Sequence, residues 1–164
     1  MAEIKIIYGS TTGCTESAAQ AVAAALGAGT VCSIAAAETA DFEADLLILG
    51  SSTWGIGELQ DDWIGGIDKL DSIDLTGKKV ALFGLGDQDG FGDSFCDAIG
   101  IIAEKVSSRG AVIVGRTSTE GYRHSGSAAV SGGMFCGLAL DENNQPELTA
   151  SRIEKWVAQL KQEI

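Results

Sequence analysis

Short apolar runs of strand length alternate along this chain with stretches of helical period, and glycine punctuates most of the changes. Ile4-Lys5-Ile6-Ile7-Tyr8 is a β-branched run stopped by Gly9. Thr15 to Gly27 is alanine-rich and predicts a helix with Ala18, Val22, Ala25 and Leu26 on one face and Gly27 as its C-cap. Thr30 to Ile34 reads as a second strand. Leu46-Leu47-Ile48-Leu49 is continuously apolar up to Gly50, as a strand buried on both faces would be. A short helix is expected from about Asp61 to Leu70, and another buried strand over Lys79 to Leu85. Phe95, Ala98, Ile99, Ile102 and Val106 have helical spacing within Ser94 to Arg109, closed by Gly110. Ala111 to Gly115 is a fifth strand. After a polar, Gly- and Ser-rich stretch from Thr117 to Gly133, the apolar run resumes over Phe135 to Leu140. The last helix carries Ile153, Trp156, Val157 and Leu160 at i, i+3, i+4, i+7, with Thr149 as its expected N-cap.

Helices alternating with buried strands imply right-handed crossovers and a doubly wound α/β fold, a parallel sheet covered on both faces. No linker or repeat divides the chain, so residues 1–164 are read as one domain. Hydrophobic residues make up 45% and charged residues 21% of the 164, a composition suited to a folded core. The start is strand-like rather than a signal peptide, and no apolar run approaches a membrane span; a soluble, cytoplasmic protein is expected.

Charge narrows the function. The formal net charge is -12, which argues against a nucleic-acid partner, because phosphate backbones are bound by basic surface. Most of the excess lies between Glu38 and Asp97, where 14 acids face 3 bases. Four cysteines (Cys14, Cys32, Cys96, Cys136) are widely separated, and the single histidine, His124, has no neighbouring ligand; a zinc site is excluded and free thiols are expected.

In such a sheet, ligands bind outside the carboxyl ends of the strands. Three segments there are unusual: Ser10-Thr11-Thr12-Gly13-Cys14-Thr15, Ser51-Ser52-Thr53-Trp54-Gly55-Ile56-Gly57, and Gly86-Asp87-Gln88-Asp89-Gly90-Phe91-Gly92-Asp93. The first brings hydroxyls and a glycine to the start of a helix, where unpaired amides and the helix dipole favour an anion. It holds no cation, which suits a permanently bound phosphate monoester. The GxxxxGK[ST] loop, the GxGxxG fingerprint and the Cys-x5-Arg phosphatase loop are all missing. The other two segments each place an aromatic, Trp54 or Phe91, beside glycine, and two such rings can sandwich a planar group.

Together these loops resemble the flavodoxins, over essentially the whole chain. Residues 10–15 match the family's [TS]-x-T-G-x-T phosphate signature, Thr53-Trp54-Gly55-Ile56-Gly57-Glu58-Leu59 its first ring-binding loop, and Gly86-Asp87-Gln88 with Phe91 its second. The insert from about Thr117 to Met134 looks like the long-chain subgroup. The resemblance, not the spacing, implies a five-stranded sheet of order 2-1-3-4-5 with an insert interrupting the last strand. It also implies non-covalent FMN, low-potential one-electron transfer between redox proteins, and no enzymatic turnover. The phosphate would sit on Ser10, Thr11, Thr12, Gly13, Cys14 and Thr15. The ring would lie between Trp54 and Phe91, near Thr53, Gly55, Ile56 and Gly57. Backbone at Gly86, Asp87, Ser94 and Cys96 would meet the pyrimidine edge, and Asn143 the ribityl chain. Phe91 stands where relatives usually carry Tyr, and Gly55 where many long-chain members carry Asn.

The resemblance further implies that this chain is a monomer whose redox partners carry basic docking faces, such as a ferredoxin/flavodoxin reductase. Carboxylates at Glu58, Asp61, Asp87 and Asp93 would disfavour the anionic reduced ring. The alternative is an FMN-dependent quinone or azo reductase on the same fold, which would need room over the ring. A response-regulator receiver domain would need acids where Ser10-Thr11 and Ser51-Ser52 stand.

Overall fold

The computed structural model describes residues 3–9, 13–27, 29–54, 58–90, 92, 94–122 and 126–163; the side chains of Trp54 and Glu58 are not described. Strand β1 (Ile4–Gly9) leads into helix α1 (Cys14–Leu26), then β2 (Thr30–Ser33), β3 (Leu46–Trp54) and the short β4 (Glu58–Leu59). Helix α2 (Asp61–Gly66), strand β5 (Lys79–Leu85), helix α3 (Asp97–Ser108) and strand β6 (Val112–Val114) follow. The chain continues through β7 (Thr117–Ser118), β8 (Val130–Ser131), β9 (Met134–Phe135), β10 (Leu138–Leu140) and helix α4 (Thr149–Glu163).

The main sheet runs β2-β1-β3-β5, all parallel, and its fifth position is filled twice. β6 pairs with the first half of β5 (Lys79↔Val112 to Ala81↔Val114) and β10 with the second (Phe83↔Leu138 to Leu85↔Leu140). This is the order 2-1-3-4-5 with its last strand interrupted. Side-chain alternation sorts the strands into two cores. Ile6, Ile48, Ala81 and Phe83 face α1 and α4 through Ala18, Ala19, Val22, Ile153, Trp156, Val157 and Leu160. Ile7, Leu47, Leu49, Val80 and Leu82 face α2 and α3 through Trp63, Ile99, Ile102 and Val106.

Several sequence expectations shift at their edges. Strand β3 does not stop at Gly50 but runs on to Trp54, because Thr53 and Trp54 pair antiparallel with Leu59 and Glu58. The expected helix from Asp61 to Leu70 is one α-helical piece followed by a 3-10 turn over Ile67–Ser72. Helix α1 buries Ala19 and leaves Ala25 exposed, whereas Gly27 does cap it in the left-handed region at φ 69. Thr149 is not an N-cap: a 3-10 turn over Pro146–Leu148 leads directly into α4, so Thr149 is already helical. Its buried hydroxyl has no hydrogen-bond partner among the described residues.

The run from Phe135 to Leu140 is likewise divided. Phe135 belongs to a separate antiparallel sheet of order β7-β9-β8, built by the insert, and only Leu138–Leu140 join the main sheet. Tyr122 anchors this insert. Its hydroxyl donates to the Ala139 carbonyl at 2.5 Å, and its ring lies 4.8 Å from that of Phe135 and 5.7 Å from that of Phe95. The Arg152 guanidinium stacks over it at 4.1 Å.

Candidate functional site

Parallel register brings the three singled-out segments to one edge. Gly9 pairs with Ser51, and Ser51 with Gly84, so the chain leaves β1, β3 and β5 at neighbouring positions. β10 ends beside them, with Leu140 against Leu85. Gly9 is needed there: a Cβ on it would overlap the Gln60 side chain and come within 2.6 Å of the Trp63 indole. Gln60 is buried at 1% exposure, and its Oε1 accepts from the Asp62 amide at 2.9 Å as the N-cap of α2. Gln60 and Trp63 thus prop the start of the first loop, a role the sequence pattern did not reveal.

Of that loop, Ser10, Thr11 and Thr12 lie outside the described residues. Gly13 takes the left-handed conformation at φ 88 as N-cap of α1, and glycine brings no side chain to cap the first turn. A helix start of this kind sets backbone N–H groups and the positive end of the dipole where an anion is favoured. Cys14 is exposed, while Thr15 is buried.

Gly55, Ile56 and Gly57 lie outside the description, between the paired ends of β3 and β4. Thr53 does more than flank an aromatic. Its Oγ1 accepts the amide of Ala98 at 3.0 Å, which makes it a cap for α3 supplied from β3. The N-cap position of α3 is Cys96, which adopts φ 55, a left-handed conformation uncommon for a residue with a Cβ. Burial pushes the Cys96 thiol well above its ordinary range, so it stays neutral. Gly86 is fitted against it: a Cβ on Gly86 would stand 3.0 Å from the Cys96 amide nitrogen and 2.9 Å from the Phe95 ring. Ser94 is buried beside them, and its carbonyl accepts from the Asp97 amide. Phe91 and Asp93 lie outside the described residues.

The loop after β5 folds on its own carboxylate. Asp87 Oδ1 accepts from the amides of Gly90 at 2.8 Å and Asp89 at 3.1 Å, and from Asn144 Nδ2 at 2.7 Å. The Gly90 amide and the Asn144 side chain hold the Asp87 carboxyl below the usual aspartate range. Asn143 is exposed, and its amide donates to Asp141. Its neighbour Asn144 joins the two loops, a residue that spacing alone could not single out.

The described residues thus bring together the start of α1, the Asp87 carboxylate and buried backbone beside Gly86; they hold no grouping of His, Cys, Asp and Glu able to bind a metal. A family model described as Flavodoxin matches residues 6–156. The chain belongs to the flavodoxin family. It is 49% identical to a flavodoxin of Picosynechococcus, covering 98% of this chain and 97% of that one. It is 46% identical to flavodoxin 1 of Escherichia coli, over 100% of this chain and 96% of the relative. Among solved structures, a Fusobacterium nucleatum flavodoxin bound to flavin mononucleotide superimposes with a TM-score of 0.95 at 36% identity, covering 100% and 99% of the two chains. As a flavodoxin, this chain is an electron-transfer protein and not an enzyme, and the quinone or azo reductase alternative is not favoured.

Proposed function

We propose that these strand-end loops hold FMN non-covalently and that the chain, as one domain over residues 1–164, shuttles single electrons at low potential between other redox proteins. The observation that carries this is the convergence of the start of α1 with Thr53 and Gly86 at one edge of the sheet. FMN supplies the redox chemistry when bound; the chain binds, orients and biases it. Ser10, Thr11, Thr12, Gly13, Cys14 and Thr15 would take the phosphate by neutral donors. Trp54 and Phe91 would cover the ring faces beside Gly55, Ile56 and Gly57. Gly86, Asp87, Ser94 and Cys96 would meet the pyrimidine edge, and Asn143 the ribityl chain.

The same reading assigns partners with basic docking faces, such as a ferredoxin/flavodoxin reductase, to a monomer working in the cytoplasm. Support comes from how the acidic half spends its few cations. The Lys69 ammonium donates to the carbonyls of Ile34 at 2.7 Å, Ala35 at 3.3 Å and Ala37 at 2.9 Å. Lys78 donates to the Ala44 carbonyl and Lys79 to that of Glu163. These cations satisfy backbone rather than carboxylates, so the excess charge stays on the surface to steer a basic partner. No described helix is long and apolar enough to cross a membrane. The test is titration of apoprotein with FMN, which should quench flavin fluorescence at one-to-one stoichiometry. Absence of quenching removes the reading.

A further inference from the structure

The residue that joins the two loops of the site is a buried acid outside every segment singled out above. Asp141 is the first residue after β10 and is fully buried at 0% exposure. Its Oδ1 accepts from the amides of Asn143 at 3.1 Å and Asn144 at 3.0 Å. Its Oδ2 accepts from the Gln88 amide at 3.1 Å and from Asn144 Nδ2 at 2.9 Å. The Asp141 carbonyl takes the Gln145 amide at 2.9 Å. Around this centre the ties repeat. Asn144 Nδ2 also reaches Asp87 Oδ1, and Gln88 Nε2 donates to Gln145 Oε1 at 2.8 Å. The Arg152 guanidinium donates to Gln145 Oε1 at 2.8 Å.

Each hydrogen bond to the Asp141 carboxylate oxygens comes from an N–H donor, two backbone amides on Oδ1 and one backbone amide with the Asn144 side chain on Oδ2. No described cation forms an ion pair with it; the two ion pairs among the described residues are Lys5–Asp41 and Lys105–Asp71. A buried charge held by neutral donors is costly, and burying one where a hydrophobic strand end would serve calls for a reason. Loop 86–90 carries no regular secondary structure, and its shape is set by Asp87 and by Asp141 reaching across from the other chain segment.

We propose that Asp141 is the positioning residue of the cofactor site: it locks loop 86–90 to loop 141–145, and its fixed negative charge opposes the anionic reduced cofactor. This rests on the FMN reading above. The carboxylate is buried against the Gln88 amide, where a charge acts over distance with weak screening.

Asp141→Asn keeps the volume but turns an amide NH2 toward a donor and removes the charge. Asn144→Ala removes the bridge to Asp87 and leaves the charge. Both are measured by FMN titration of the apoprotein and by redox potentiometry of the loaded protein. Asp141→Asn should bind FMN about tenfold more weakly, about 1.4 kcal/mol, and should accept its second electron at a higher potential than the parent. Asn144→Ala should also bind more weakly, with that potential unmoved. FMN affinity within twofold of the parent in Asn144→Ala overturns the positioning role, even should Asp141→Asn fail to fold. An unmoved potential in a folded Asp141→Asn overturns the electrostatic role. A parent that binds no FMN removes the reading underneath, a result distinct from either.

Discussion

The indole N–H of Trp63 donates to the carbonyl of Gly50 at 2.7 Å, across the boundary between α2 and the middle of β3. Both groups are buried. Trp63 also fills the space that Gly9 leaves open, so a single side chain braces the exits of two strands. Trp63→Phe keeps much of the apolar contact and leaves the Gly50 carbonyl without this donor. A loss of about 1–3 kcal/mol is expected. Urea denaturation of the apoprotein, with an unchanged slope and a lower midpoint, checks it.

Gly50 also faces the Phe83 ring, which occupies the space its Cβ would need; Phe83 in turn packs edge-on against Trp156 at 6.3 Å. Gly50→Ala should destabilise by about 1–3 kcal/mol through overpacking. The obstacle is a side chain, so much of that loss should return in Gly50→Ala with Phe83→Leu, measured against Phe83→Leu alone. Gly137 provides the contrast. Its Cβ would meet the Leu82 backbone carbonyl, and no substitution at position 82 should rescue Gly137→Ala.

Tyr122 makes the insert sensitive to alkali. Burial pushes its phenol up to about 12. The native value lies above the unfolded value of about 10, because the ionised form is penalised in the folded chain. The stabilisation is therefore complete below about 10 and is lost as pH rises towards about 12. Tyr122→Phe should be less stable near neutrality, lacking the bond to Ala139, and should show a shallower loss of stability across that alkaline window. Chemical denaturation at a series of pH values, with tyrosinate absorbance as the second readout, tests the sign.

Surface acidity should govern encounter rates. Electron transfer from the reduced protein to cytochrome c, used as a basic redox probe, should slow steadily as ionic strength rises and the screening length falls to about 10 Å at 0.1 M. Converting Asp61 and Asp62 to Asn should flatten that slope. A rate independent of salt would dissociate the acidic face from docking.

Thiol reactivity separates the exposed cysteine from the two buried ones. Cys14 is exposed at the first turn of α1, whereas Cys96 and Cys136 are buried. Burial pushes Cys136 up to about 11 and Cys96 well above its ordinary range. Iodoacetamide at neutral pH should modify Cys14 first and spare Cys96 and Cys136 until the protein is unfolded. Early labelling of Cys96 would contradict its burial.

Sequence by itself determined the alternation of strands and helices, the two-faced core and the place of the three loops at the strand ends, because each rests on local periodicity or on residues close in the chain. Ile6 and Ile7 point to opposite cores as their neighbouring positions require, and Gly27 ends its helix as a glycine there should. Tertiary structure alone decided which distant groups share a hydrogen bond. Thr53 caps a helix whose amide lies 45 residues on, and the Asp141 carboxylate holds an amide 53 residues away. The insert's short strands exist only through pairing with one another and through Tyr122 on Phe95 and Phe135. Strands of two residues carry no readable period, and a buried polar contact depends on what the fold brings near it, which no local pattern encodes.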